Sequence, residues 1–177
     1  MNLAIKYLPK YTIKDYEKWK GDWELIEGIA YALSSPSFKH QRIAGKLFRF
    51  LDEALEKSCK NCIVGIDTDY VIDEHTVVRP DVFVTCDKVE NKLLKAPQII
   101  FEIVSETTSD RDEGLKKELY ERERVEYYVL VYPELKKARI FKLINGKYQK
   151  IFEATEDKYN FEVRNCKFSL DFSKVWS

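Results

Sequence analysis

Two charges set inside apolar runs constrain this chain more than any other feature. Arg79-Pro80-Asp81-Val82-Phe83-Val84 places an aspartate at the start of one run. Twenty-one residues later, Ile99-Ile100-Phe101-Glu102-Ile103-Val104-Ser105 places a glutamate in the middle of another. A carboxylate inside a β-branched strand is costly to desolvate unless something pairs with it. The fold therefore has to bring a partner to each. Just downstream, Asp112, Lys116 and Tyr120 recur every four residues, a spacing that stacks them on one face of a helix.

The surrounding pattern predicts an α/β architecture. Thr12 with Asp15 three residues on reads as an N-cap opening a short helix to about Lys20. Trp23–Glu27 and Ile29–Leu33 read as a strand pair turning at Gly28. From Phe38 to Lys57, Ile43, Leu47, Phe50, Leu51, Ala54 and Leu55 fall at helical spacing, which predicts a long amphipathic helix. Strands are expected near Cys62–Val64, Asp69–Ile72, Val77–Val84 and Gln98–Ser105. A helix follows from about Arg111 to Arg124, then a strand over Glu126–Tyr132. Asn145-Gly146 is a favoured hairpin turn between Ala138–Leu143 and Tyr148–Glu153, and short strands complete the C-terminus. Strand, strand, helix and strand over Val77–Tyr132 imply a mixed central β-sheet flanked by α-helices.

With no linker, repeat or low-complexity stretch, residues 1–177 read as a single domain. Thirty basic and thirty acidic residues cancel, so net charge lends no support to a nucleic-acid partner, although a local basic face is compatible with neutrality. No apolar stretch approaches the length of a membrane span and no signal-peptide pattern is present, so a cytoplasmic protein without a membrane partner is expected. Abundant Lys and Glu match thermophile composition. Cys59 and Cys62 have zinc-knuckle spacing, yet no second CxxC or paired histidines complete a site. Isolated thiols or a thermophile-type disulfide are the better readings of the four cysteines.

Two strand carboxylates beside a lysine suit phosphodiester hydrolysis. That reaction needs charge neutralisation at an anionic phosphate and a positioned water. Carboxylates on neighbouring strands hold Mg²⁺, which prefers oxygen ligands and keeps several waters. Such an ion lowers the pKa of bound water and stabilises developing charge, and a nearby ammonium orients the water or supports the phosphate oxygens. Asp81, Glu102 and Lys116 meet these demands if their elements are adjacent, and the backbone carbonyl of Ile103 adds a further oxygen ligand.

Pro80-Asp81 followed by Glu102-Ile103-Val104-Ser105 resembles the PD-(D/E)xK nuclease superfamily. More closely, the chain resembles the Uma-two family of restriction-endonuclease-like proteins. The matching stretches are Glu24-Leu25-Ile26-Glu27-Gly28, Ser37-Phe38-Lys39-His40-Gln41-Arg42-Ile43, Arg79–Val82 and Phe101–Ser105. They continue with Asp112-Glu113-Gly114-Leu115-Lys116, Tyr120 and Glu126–Val131, together covering roughly residues 22 to 150. The resemblance implies a restriction-endonuclease-like core and a Mg²⁺- or Mn²⁺-dependent endonuclease acting on DNA. Its catalytic residues would be Asp81, Glu102 and Lys116, and its metal ligands Asp81, Glu102 and the Ile103 carbonyl. Asp112 would be a further ligand or would orient Lys116, and Tyr120 would support the helix face. Glu27 would add an acidic site residue, and His40 would border the cleft. A homodimer is carried as an option, because cutting both strands needs two sites.

Two departures from the pattern matter. The superfamily lysine belongs two residues after the glutamate, where this chain has Val104, and in the resembled family the helix lysine, here Lys116, replaces it. Tyr132 stands where the family often has an aspartate, and reads as a turn residue. Bland readings exist for each group: Asp81 as a turn cap after Pro80, Glu102–Lys116 as a structural buried pair, Asp112–Lys116 as an exposed helix pair. The alternative function is a nuclease fold kept as a DNA- or protein-binding module with weak or no catalysis. A zinc or redox protein built on Cys59 and Cys62 is the third.

Overall fold

The computed structural model describes residues 8–177. Thr12 opens α1 (Ile13–Tyr16) with its amide and hydroxyl both donating to Asp15 Oδ2, at 2.8 and 2.9 Å. The helix stops short of Lys20 because the amides of Lys18 and Trp19 reach back three residues, to Asp15 and Tyr16, instead of four. Strands β1 (Trp23–Ile26) and β2 (Ile29–Ala32) form a hairpin. Its turn holds Glu27 at φ 51° and Gly28 at φ 85°, the doubly left-handed geometry that matches strand twist. Ser37 caps α2 (Phe38–Ser58) by accepting the His40 amide, and the apolar stripe from Ile43 to Leu55 is buried as its spacing demands.

Strands β3 (Ile63–Ile66), β4 (Tyr70–Asp73), β5 (Thr76–Val78) and β6 (Val82–Thr85) follow. The single strand expected over Val77–Val84 is thus two, broken at Pro80. Proline has no N–H to donate, so a ladder cannot run through it. The halves join different sheets: β5 lies in a four-stranded sheet ordered β2-β1-β5-β4, whereas β6 enters the main sheet. After β7 (Ile99–Ile103) a π-helical turn (Arg111–Leu115) runs into α3 (Lys116–Arg122). Then come β8 (Tyr127–Tyr132), β9 (Lys137–Ile144), β10 (Lys147–Ala154), β11 (Lys158–Val163) and β12 (Cys166–Asp171).

The main sheet has the order β10-β9-β8-β7-β6-β3, with β7 and β8 parallel and all other neighbours antiparallel. The parallel pair is joined by the crossover through α3, as a parallel connection requires. Alternation divides the sheet's side chains between two cores. Val82, Val84, Ile99, Phe101 and Ile103 meet α2 and the β11–β12 hairpin. Phe83, Ile100, Tyr128 and Leu130 meet α3 and the smaller sheet. The expected mixed sheet is present, but a second sheet and a hairpin share its flanks with the helices.

The cysteines pair as Cys59–Cys166 and Cys62–Cys86. Cys59 and Cys62 therefore face different partners, one tying α2 to β12 and the other tying the entry of β3 to the exit of β6. No helix among the described residues is long and apolar enough to cross a membrane.

Candidate active site

Glu102 lies on the β7 face that meets α3 and the smaller sheet, since its neighbours Phe101 and Ile103 point into the other core. Strands β6 and β7 are antiparallel with Val82 opposite Phe101, so the next pair along is Asp81 and Glu102. The Asp81 carboxylate is fixed there by the amide of Ile103, which donates to Oδ2 at 2.7 Å. Just after the break at Pro80, the Asp81 carbonyl still accepts the Asp67 amide at 3.3 Å, which carries the β3–β6 pairing one residue further.

Lys116 is the first residue of α3, and its side chain is only 4% exposed. Its Nζ stands 2.6 Å from Glu102 Oε1 and 2.9 Å from Glu24 Oε1. One helical turn on, the Tyr120 hydroxyl donates to the same Glu102 oxygen at 3.0 Å. Asp112 is buried in the π turn, where its backbone carbonyl accepts the Tyr128 hydroxyl at 2.7 Å. At the first turn of α2, His40 Nε2 lies 3.2 Å from Asp81 Oδ1, while its Nδ1 is buried without a partner among the described residues. Asp81, Glu102, Lys116, Asp112, His40 and Tyr120 therefore come together from β6, β7, the π turn, α3 and α2.

Glu27 does not join them. Its left-handed turn position sends the side chain to the surface, 61% exposed, where Arg122 Nη1 holds it at 2.7 Å. The acidic group that β1 contributes is Glu24, fully buried, whose Oε1 also accepts the Arg79 amide at 2.9 Å. Glu24 carried the same signal that singled out Glu102, a charge in an apolar strand. Sequence reasoning passed over it for the neighbour beside the glycine. Val104, which stands where the superfamily lysine would be, packs into the α3 core instead. Tyr132 ends β8 with its hydroxyl on Glu113 Oε1 at 2.7 Å.

The cluster carries more negative than positive charge, and its ionisation reflects this. Burial drives the Glu102 carboxyl well above its ordinary range, and the charges of Asp81, Asp112 and Glu24 add to that against the pull of Lys116. Burial likewise pushes Asp112 up to about 6, with Lys116 and Thr108 pulling the other way. Burial acts to discharge Lys116 too, but Glu102, Glu24 and Asp112 outweigh it and keep the ammonium charged. At Asp81 burial is overcome by the bond and charge of His40, the charge of Lys116 and the Ile103 amide, which hold the carboxyl below its ordinary value. The same contact with Asp81 lifts His40 despite its burial.

Oxygen donors crowded beyond what one ammonium can neutralise fit a hard divalent cation in chemistry. Asp81, Glu102 and the Ile103 carbonyl are the ligands expected from the sequence, and the strand register sets the two carboxylates side by side. No three or more His, Cys, Asp or Glu side chains among the described residues form a ready-made ligand cage. Such an ion would therefore rest on this pair and on waters. The cluster opens to solvent where Asp81 and His40 are 24% and 21% exposed, whereas Glu24, Glu102 and Lys116 line its floor.

Comparison with known proteins places this geometry in context. The Uma2 family model, described as "Putative restriction endonuclease", matches residues 13–161. Among solved structures, a putative nuclease belonging to DUF820 from Anabaena variabilis shares the fold with a TM-score of 0.72 and 15% sequence identity, over 93% of this chain and 97% of that one. No curated protein matches the sequence.

Proposed function

The chain belongs to the Uma2 family of restriction-endonuclease-like proteins, and on that premise we propose that it is a divalent-metal-dependent endonuclease hydrolysing the phosphodiester bonds of DNA. One observation carries the reading: the Lys116 ammonium, arriving from α3, contacts the strand carboxylate Glu102 at 2.6 Å. In this reading Lys116 does from the helix what a lysine at position 104 would do from the strand.

Asp81, Glu102 and the Ile103 carbonyl would hold Mg²⁺ or Mn²⁺. Bound there, the ion supplies charge neutralisation at the phosphate and a lowered pKa for a water that it carries. The remaining work belongs to the chain. Lys116, kept charged by Glu24 and Glu102, orients the attacking water or offsets charge building on the phosphate oxygens. Glu24 positions that ammonium through its own contact at 2.9 Å. Tyr120 fixes the rotamer of Glu102 through its hydrogen bond, and His40 does the same for Asp81 at the solvent edge. Asp112 sets the local charge that holds Lys116 protonated.

A second reading is favoured by the depth of Lys116, whose contacts are both carboxylates. A fold retained for binding DNA or a protein, with weak catalysis, tolerates so buried an ammonium. Incubating plasmid and single-stranded DNA with Mg²⁺ or Mn²⁺ separates the two. Cleavage by the wild type that is lost in Asp81→Ala and Lys116→Ala supports the endonuclease. No metal-dependent cleavage of any substrate, or equal cleavage by the variants, favours the binding module.

A further inference from the structure

Arg111 is a guanidinium beside this site that the proposed chemistry leaves unused. It opens the π-helical turn, where the Lys116 amide bonds back to the Arg111 carbonyl. In an α-helix, residues five apart diverge by about 140° around the axis. The wider i→i+5 turn brings them back toward one face. The result is visible at Glu24: Lys116 Nζ is 2.9 Å from its Oε1, and Arg111 Nη1 is 3.8 Å from its Oε2.

That second contact is an ion pair too long to be a hydrogen bond. Arg111 Nε is buried with no hydrogen-bond partner among the described residues, and so is Glu24 Oε2. The Arg111 side chain is 16% exposed, with its guanidinium 5.5 Å from the centre of the Tyr31 ring. Arg79 shows the contrast. Its Nε also lacks a hydrogen bond, but Asp69 lies 3.6 Å from it and Asp22 and Asp67 hold its terminal nitrogens at 2.7 and 3.0 Å.

Buried polar groups are rarely left unpaired, and an unmatched donor at the edge of a site is open to a ligand that accepts. A guanidinium presents its donors as a planar fork, which matches two oxygens of a phosphate. We propose that Arg111 is a phosphate-binding residue, taking the non-bridging oxygens of a DNA phosphodiester while Glu24 and Tyr31 hold the guanidinium in place. The inference rests on the reading of this site as one that binds DNA, and not on cleavage.

The test is binding of a short fluorescein-labelled DNA duplex by fluorescence anisotropy across a salt series, in EDTA and in Ca²⁺. Arg111→Met is expected to weaken binding roughly ten-fold or more, the usual effect of losing a charged hydrogen bond. It should also lower the slope of log affinity against log salt by about one. Arg111→Lys should restore the slope but only part of the affinity. Should Arg111→Met fail to fold, as its melting curve would show, the comparison of Arg111→Lys with wild type carries the test. Unchanged affinity in Arg111→Met, weaker binding with an unchanged slope, Arg111→Lys as tight as wild type, or no DNA binding by the wild type would each overturn the proposal. Binding with the expected slope but no cleavage in Mg²⁺ would remove the endonuclease reading and leave Arg111's role standing.

Discussion

Replacing Lys116 by methionine deletes the one ammonium that Glu102 and Glu24 share, while nearly conserving the volume of its stem. Both carboxylates are at most 2% exposed, and Tyr120 is the hydroxyl that still bonds Glu102. Removing one partner of a buried ion pair costs about 3–5 kcal/mol when the other stays charged. The folded variant has an escape, which is to bind one more proton. Holding an ordinary carboxyl neutral at pH 7 costs about 3–4 kcal/mol, so the two routes agree near neutrality. They differ in pH dependence. A native state holding about one extra proton loses roughly 1.4 kcal/mol relative to wild type for each unit that pH rises above the unfolded carboxylate range. Urea unfolding at pH 5, 6 and 7 should therefore show a small loss at the acid end, rising to about 3 kcal/mol at pH 7. Glu24→Gln in the same background should recover part of it, because one of the stranded charges is gone. A loss below about 1 kcal/mol, or one flat with pH, would contradict the contact of Lys116 with both carboxylates, since an exposed pair is worth no more than that.

Asp112 and the cysteines give two further tests. The Asp112 carboxyl titrates at about 6 in the fold, above its ordinary 3.8, so its contribution is fully present below the lower value and is lost as pH rises through the higher. Asp112→Asn should match wild type near pH 4 and exceed it by up to about 3 kcal/mol at pH 8; lower stability than wild type at pH 8 would contradict this. The disulfides Cys59–Cys166 and Cys62–Cys86 close spans of 107 and 24 residues, which in the chain-entropy account correspond to about 5 and 3 kcal/mol. Replacing the first pair by serine should lower the urea midpoint more than replacing the second, and identical midpoints with and without reductant in the wild type would refute both.

Much of the fold was legible because its signals are local. The stripe from Ile43 to Leu55 has one helical solution, and Asn145-Gly146 supplies the left-handed pair that a tight hairpin needs. The acidic pair was legible for a different reason: a charge within an apolar strand has to be answered by the fold. What escaped depended on distant partners or on small local departures. Arg79-Pro80-Asp81 interrupts the apolar pattern of Val77–Val84, yet only the two destinations of β5 and β6 reveal a change of sheet there. Glu24 and Glu27 flank the same Leu25-Ile26 pair, yet the turn at Gly28 assigns Glu27 to solvent. The turn expected at Gly28 was the available clue, since it puts Glu27 outside the strand that carries Glu24. The π turn at Arg111–Leu115 leaves no mark in the spacing of Asp112, Lys116 and Tyr120, which is why Arg111 was not seen as their neighbour. Cysteine pairing follows tertiary contact, so the close Cys59 and Cys62 told nothing of Cys166 and Cys86.

The central claim is that the Asp81–Glu102 pair is a metal centre served by Lys116, and calorimetric titration with Mn²⁺ near pH 6 tests it most directly. Run in buffers of different ionisation enthalpy, it reads metal binding and proton release together. Because burial raises Asp112 to about 6 and holds Glu102 above its ordinary range, an ion entering the cluster competes with protons there. The wild type should bind Mn²⁺ with net release of protons, and Asp81→Asn and Glu102→Gln should each abolish the binding. No binding by the wild type, or the same affinity in both variants, would contradict a metal centre at this pair.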